Sequence, residues 1–275
     1  MTIQIDVRSI RTALFNDGYL VLRQAIPRTM CVAVLDALAA ELDIGVDDPE
    51  SWDLVSKEIE QVPMWGHQSQ WDIRQLPELH AVWSAIWGTT DLWTARDSCR
   101  FTPPWREGRA EPLPLHWDAD PRDTTVQWYQ GIVALTDAPL GAGGFQCAPS
   151  VMRNAERWPT AWITTSYGTE YRPDPVPDED VVQVPLEAGD LLIFDSHLPH
   201  GTVRNLRDTP RVAFFLQMFP AGTPEESETI VSDHLAGLAP PWWRWKPGHD
   251  RTEPWPPARL TDLGRSLLGL PKEQT

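Results

Sequence analysis

Cysteine is scarce in this sequence. Only Cys31, Cys99 and Cys147 occur in 275 residues, far apart and with no Cys-x-x-Cys pair. So sparse and odd a set argues against a disulfide framework or a cysteine zinc site, and it points to a reducing, cytoplasmic setting. Long apolar runs are also missing. None approaches the ~20 residues of a membrane helix, so no membrane partner is expected. The first residues break their apolar character with Asp6, Arg8 and Arg11 and do not form the continuous core of a signal peptide. Basic charge is outweighed, with a net charge of −16. Such a surface repels phosphate backbones, which disfavours nucleic acid as a partner. The glycine-rich loops are followed by no Lys-Ser or Lys-Thr at a helix start, so they are turns and not phosphate cradles. No internal repeat is present.

Tryptophan and proline, by contrast, are abundant, at 15 and 27 residues. The prolines predict many loops and few long helices, and the tryptophans are read first as packing residues. Residues 9–17 read as a short helix capped by Ser9 and ended by Gly18, and "YLVLRQAI" as a strand closed by Pro27. Residues 28–44 carry Cys31, Val34, Leu35, Leu38 and Leu42 at helical spacing, with Gly45 as a stop. Residues 46–66 show no period, whereas "LPELHAVWSAIWG" sets Leu79, Val82, Trp83, Ile86 and Trp87 on one helical face. From about residue 91 the character changes. Short β-rich segments at 91–101, 113–119, 125–137, 144–148, 181–186, 190–196 and 211–219 are separated by Gly, Pro and Asp, the pattern of an all-β sandwich or barrel. "YRPDPVPDED", 171–180, reads as a proline-rich acidic excursion, and Leu260, Leu263, Leu267 and Leu268 as a final helical stripe. One domain over 1–275 is expected: a helical N-terminal part with an early strand (1–90), a β core (91–220), and a Trp/Pro-rich segment with a helix (221–275).

The chemistry starts at "LPLHWDADP". On a strand, residues two apart share a face, so His116 and Asp118 converge while Trp117 points the other way. An imidazole and a carboxylate on one face supply two thirds of a facial metal site, and a distant histidine completes it. The best source is "DSHLPHGT", which follows the turn and buried-strand run "EAGDLLIFD" and holds His197 and His200. His200 is the stronger choice because Thr202 and Arg211 follow it in "HGTVRNLRDTPR". A hydroxyl and a planar guanidinium together bind a carboxylate, and an open metal beside such a clamp suits a 2-oxo acid. His197 reads as a packing or supporting histidine, and Asn205 as a turn residue.

"HWD", "GAGGFQCAPS" and "GDLLIFDSHLPHGTVRNLRDTPR", with "FNDGYLVLRQAI" near the start, resemble the phytanoyl-CoA dioxygenase family over roughly 15–27 and 113–219. The resemblance implies a fold that is mainly β with flanking helices, around a double-stranded β-helix (jelly-roll, cupin-like) core. It implies an Fe(II)- and 2-oxoglutarate-dependent dioxygenase that hydroxylates an unactivated C–H; the many Trp and polar side chains suggest a small-molecule substrate, a natural-product or amino-acid-derived intermediate. His116, Asp118 and His200 would hold iron, and Arg211 with Thr202 would grip the distal carboxylate of 2-oxoglutarate. Gln146 stands where members often present a tryptophan toward the cosubstrate. Related halogenases lack the carboxylate ligand, so the presence of Asp118 favours hydroxylation, desaturation or ring closure. The acidic surface makes an acyl-CoA a less favoured substrate.

Substrate contacts are sought in three places. "WGHQSQWDIRQ" packs Gln68, Trp71 and Arg74 into a polar-aromatic patch that suits a substrate entrance or a surface loop. In "ARDSCR", Arg96, Asp97 and Arg100 form either a buried ion pair or a contact to a substrate carboxylate. Trp128 and Gln130 share a strand face, and one face should look into the barrel. Two other functions fit the same triad: a metal-dependent hydrolase or isomerase using a metal-bound water, which leaves Thr202 and Arg211 without a role, and a non-catalytic cupin-like binding protein.

Overall fold

Helix α1 (Val7–Asp17) begins two residues before the expected start, because Asp6 and not Ser9 is its cap: the Asp6 carboxylate accepts the Arg8 amide. Gly18, in the left-handed region at φ 74°, closes it by donating its amide to Leu14. In this computed structural model, residues 6–270 are described, apart from 55–60, 63, 110, 119, 124, 126, 155–159, 166–167, 174–175, 242–243 and 245–251. Strand β1 (Tyr19–Leu22) is half the expected length. The buried Asp190 carboxylate takes the Gln24 amide and the Arg23 guanidinium, and so turns the chain out of the sheet. Helix α2 (Arg28–Leu42) buries Cys31, Val34 and Leu38 and ends at Asp43, not Gly45.

Residues 46–66, which have no sequence period, contribute β2 (Gln61–Val62). The segment "HQSQWDIR" is no loop: α3 (Gln68–Arg74) is capped by His67 and buries Ser69, Gln70, Trp71, Ile73 and Arg74. Then come α4 (Pro77–Trp87), β3 (Leu92–Thr94), β4 (Cys99–Thr102), β5 (Tyr129–Ala134), β6 (Phe145–Cys147) and α5 (Pro149–Met152). The expected strand at 113–119 is reduced to single bridges at His116 and Trp117. Strands β7 (Thr160–Thr165) and β8 (Gly168–Pro173) pair as a hairpin that the sequence reading lacks, and β8 takes the first three residues of the expected excursion. The chain continues through β9 (Val182–Gln183), β10 (Leu191–Asp195), β11 (His200–Thr202), β12 (Arg211–Phe215) and β13 (Met218–Pro220). It closes with α6 (Pro224–Leu235) and α7 (Asp262–Leu268), which buries Leu267 and Leu268 of the final leucine stripe. Of the irregular tail, 242–243 and 245–251 lie outside the described residues.

The strands form antiparallel sheets. The largest runs β1-β10-β5-β12-β4-β2, so it draws two strands from before residue 90, and a smaller sheet runs β11-β6-β9. Strand alternation gives the large sheet two different faces. Cys99, Phe101, Val133, Leu191, Ile193, Val212 and Phe214 face the helices, where they meet Leu14, Val34, Leu38, Val82 and Trp83. Each such side chain, fully buried, contributes roughly 1.5–3 kcal/mol. Ile132, Ala134, Leu192, Phe194 and Ala213 face the other way and pack against Phe145 and Cys147 of the small sheet. The space between the two sheets is where the candidate site lies. Among the described residues no helix is long and apolar enough to cross a membrane.

Candidate metal centre

One side of the site is β11; the other is the segment 113–118. Their backbones meet as an antiparallel bridge in which His116 and His200 exchange amide-to-carbonyl bonds of 2.9 and 3.0 Å. Further along, the Thr202 amide donates to the Leu113 carbonyl at 2.9 Å, and the Leu113 amide to Thr202 Oγ1 at 3.1 Å. Three residues of the segment thus span the same stretch as two of β11. A bulge of this kind re-aims side chains, and Pro114, with no N–H to lose, sits inside it. Gly201 is required at the crossing, because a Cβ there would lie 2.5 Å from the Leu113 carbonyl oxygen and 2.7 Å from that of Pro114.

The two imidazoles are held alike. His116 Nδ1 lies 3.0 Å from the Pro114 carbonyl and His200 Nδ1 3.0 Å from that of Leu198, in each case two residues earlier. A carbonyl can only accept, so each Nδ1 carries the proton and each Nε2 presents its lone pair. Those Nε2 atoms turn toward the Asp118 carboxylate, 3.4 Å from His116 and 3.6 Å from His200. The three donor groups lie within 4.8 Å of one another. Phe194 and Phe145 wall in the His200 ring at centroid distances of 4.5 and 5.8 Å. Burial pushes His200 down to about 4, so it is neutral and able to ligate at neutral pH. Burial by itself would raise the Asp118 carboxyl. Facing His200 and His116, and bonded by Gln130, it lies instead below the usual carboxylate range. Trp117 points away from the donors, packs on Ala148 and Val151, and donates Nε1–H to the His197 carbonyl.

Arg211 stands on the inner face of β12 with Ala213 and Phe215. It is 3 % exposed, and its guanidinium meets no acceptor among the described residues. Burial, with Arg100 on the neighbouring strand, pushes its pKa down to about 9. Thr202 shares the face of His200, and with its oxygen already accepting the Leu113 amide it keeps its own O–H to donate. These residues fit the groups that the sequence pattern suggests. Two imidazoles and a carboxylate are the donor set of a facial triad with open positions, and a buried guanidinium with no acceptor among the described residues calls for an anionic ligand.

Five sequence candidates find their partners away from the histidines. Gln146 lies opposite Gly201 in the β6–β11 register, on the other face of the strand from Phe145 and Cys147, and its amide donates to the Thr202 carbonyl. It does not look toward the histidines. Gln68 spends its amide on Asp72 and on the backbone of Arg259, fastening the C-terminal segment. Arg74 is fully buried and donates to the carbonyls of Trp65 and Asp97 and to Gln70. It also lies over Phe214, on the helix side of the large sheet, away from Arg211. Arg96 donates to the Leu238 carbonyl and lies near Arg74. Trp71 packs edge-on to His234 and beneath Arg74, with the same cluster. Trp128, half-buried, enters β5 through reciprocal bonds with Ser196. Gln130 reaches the metal-ligand candidates directly: its Nε2–H donates to Asp118 Oδ2. Sequence parity puts Gln130 on the inner face but is silent about that partner. The sequence reading also missed Asp195, which accepts both the amide and the Nδ1–H of His197 behind the site.

A family model described as phytanoyl-CoA dioxygenase matches residues 15–213, well over half of the chain. The chain belongs to the phytanoyl-CoA dioxygenase family. The cofactor pair of this family is iron(II) and 2-oxoglutarate. Among curated proteins no relative matches by sequence. Solved structures share the fold. The epimerase SnoN, solved with Fe3+, α-ketoglutarate and nogalamycin RO, matches at 16% identity and a TM-score of 0.58, covering 93% of this chain and 95% of its own. The carbocyclase SnoK from nogalamycin biosynthesis matches at 18% and 0.56, covering 80% and 87%. EvdO2 from Micromonospora carbonacea var. aurantiaca, complexed with 2-oxoglutarate, matches at 20% and 0.56, covering 80% and 93%.

Proposed function

We propose that the protein is an Fe(II)- and 2-oxoglutarate-dependent oxygenase acting on an unactivated C–H bond of a small molecule. The observation that carries this reading is the convergence of His116, Asp118 and His200 within 4.8 Å, on the same inner space into which the unpaired Arg211 projects. In this reading the large and small sheets are the two faces of a double-stranded β-helix. His116, Asp118 and His200 hold the metal on one face and leave the opposite positions for cosubstrate and dioxygen. Arg211 and the Thr202 hydroxyl grip the distal carboxylate of 2-oxoglutarate, so its 2-oxo end is directed at the metal. Bound there, iron(II) with 2-oxoglutarate and dioxygen supplies an oxidant able to remove hydrogen from an unactivated carbon.

Hydroxylation is the outcome we assign. Asp118 fills the position that a halide would need. The fold neighbours named as an epimerase and a carbocyclase make epimerisation and ring closure the competing outcomes, and their link to nogalamycin supports our reading of the substrate as a natural-product intermediate. The three cysteines are buried free thiols, which fits a reducing cytoplasm.

The test is anaerobic addition of Fe(II) and then 2-oxoglutarate to metal-free protein, followed by visible absorption. A metal-to-ligand charge-transfer band that His200→Ala abolishes is expected. Tight retention of zinc with no band would overturn the oxygenase reading in favour of hydrolysis or structure.

A further inference from the structure

We propose that Gln130 is a positioning residue for Asp118, its amide fixing the turn of the carboxylate that faces the two imidazoles. The proposal rests on the triad being a metal site. Asp118 carries the most exposed side chain of the three candidate ligands, 33 % exposed against 11 % for each histidine. The histidines are fixed by carbonyls two residues earlier. The carboxylate is held instead by the side chain of Gln130, whose Nε2–H donates to Oδ2.

The fold gives Gln130 a rigid base from which to do this. It sits in β5 directly opposite Phe194 of β10, and Phe194 packs on the His200 ring at 4.5 Å. One strand pair therefore sets the position of a ligand ring and of the amide that holds the neighbouring ligand. An ionised carboxylate only accepts, so the amide nitrogen must be the atom that faces it. Oδ1 lies 3.4 Å from His116 Nε2 and Oδ2 3.6 Å from His200 Nε2, so each oxygen faces one imidazole, and the Gln130 bond to Oδ2 sets the turn at which the carboxylate would meet a metal between them. A carboxylate free to turn could bind through both oxygens and close a position that the cosubstrate and dioxygen require.

The test replaces the amide by an isosteric side chain with no N–H, Gln130→Met, in the full chain. Fe(II) affinity is measured anaerobically, and the visible d–d spectrum is recorded after loading with Co(II) alone. Trp128→Phe, a neighbour on the same strand face with no bond to Asp118, serves as the comparison. Expected for Gln130→Met are an unchanged melting temperature of the metal-free protein, Fe(II) binding weaker by about ten- to a hundred-fold, and a Co(II) spectrum altered in band position and intensity, with Trp128→Phe like the wild type. Wild-type Fe(II) affinity and a wild-type Co(II) spectrum in Gln130→Met would overturn the proposal. So would a loss shared equally by Trp128→Phe, which would mark general loosening of β5. The Co(II) spectra need no 2-oxoglutarate, so failure here is distinguishable from failure of the oxygenase reading.

Discussion

His116 and His200 bond each other's backbones reciprocally, at 2.9 and 3.0 Å, and their rings lie 4.6 Å apart on the same side of that bridge. Two candidate ligands 84 residues apart in sequence are thereby set by two hydrogen bonds. The geometry of the site depends on how closely segment 113–118 can lie on β11.

That closeness depends on Gly201. Substitution Gly201→Ala puts a carbon against two backbone oxygens that cannot swing aside. The segment must lift, and His116 must move with it. The expected result is a folded protein whose Fe(II) affinity falls by about tenfold or more, measured by anaerobic titration.

Arg211→Met removes the buried cation and keeps the volume. The cosubstrate loses charge-assisted bonds of roughly 1.5–3 kcal/mol, so half-saturation of the charge-transfer band should need about ten- to a hundred-fold more 2-oxoglutarate. Fe(II) affinity in the absence of 2-oxoglutarate should not change. An equal loss of both would mean that Arg211 supports the fold and not the cosubstrate.

Arg74→Met should behave in the opposite way. Its guanidinium satisfies two backbone carbonyls and Gln70 in a site with no access to solvent. Leaving such groups unpaired costs about 2–4 kcal/mol, which denaturant unfolding will show. The concentration of 2-oxoglutarate needed for the band should stay at the wild-type value.

Two histidines give pH dependences of opposite sign. Burial, with Arg96 and Arg74 nearby, pushes His234 down to about 4. The unfolded chain takes up that proton first, so stability is full above the ordinary histidine pKa and is lost as pH falls from about 6.5 toward 4. His197 is raised by its bond to Asp195 and by a second bond to the Asp123 carbonyl. Its contribution is full below the ordinary value and is lost as pH rises through the raised one. Melting temperatures across pH 4–9 should therefore fall less steeply on the acid side for His234→Gln and change on the neutral side for His197→Gln.

Much of the site was legible from local pattern. Strand parity put His116 and Asp118 on one side and Trp117 on the other, and the order His200, Thr202, Arg211 suggested a candidate ligand followed by a candidate anion clamp. These are short-range consequences of a period of two, so no tertiary information was needed. The β-rich character after residue 91 was legible for the same reason, while the hairpin β7–β8 and the two residues of β2 had no clear alternation to show.

What the chain order could not decide was which arginine is free. Arg74, Arg96 and Arg211 are all buried, and in sequence each sits beside aromatic and acidic residues. Only folding puts Trp65, Asp97 and Leu238 carbonyls around the first two and leaves the third facing the inner space with no acceptor among the described residues. Gln146 and Gln130 are likewise alike in sequence, each alternating with apolar neighbours. The register of β6 against β11 turns one away from the histidines, and that of β5 against β10 brings the other onto Asp118. The residue types capable of the chemistry were written in the sequence by itself. Which of them meet was decided by strand register and backbone hydrogen bonding, because these long-range pairings settle where each side chain's partners go.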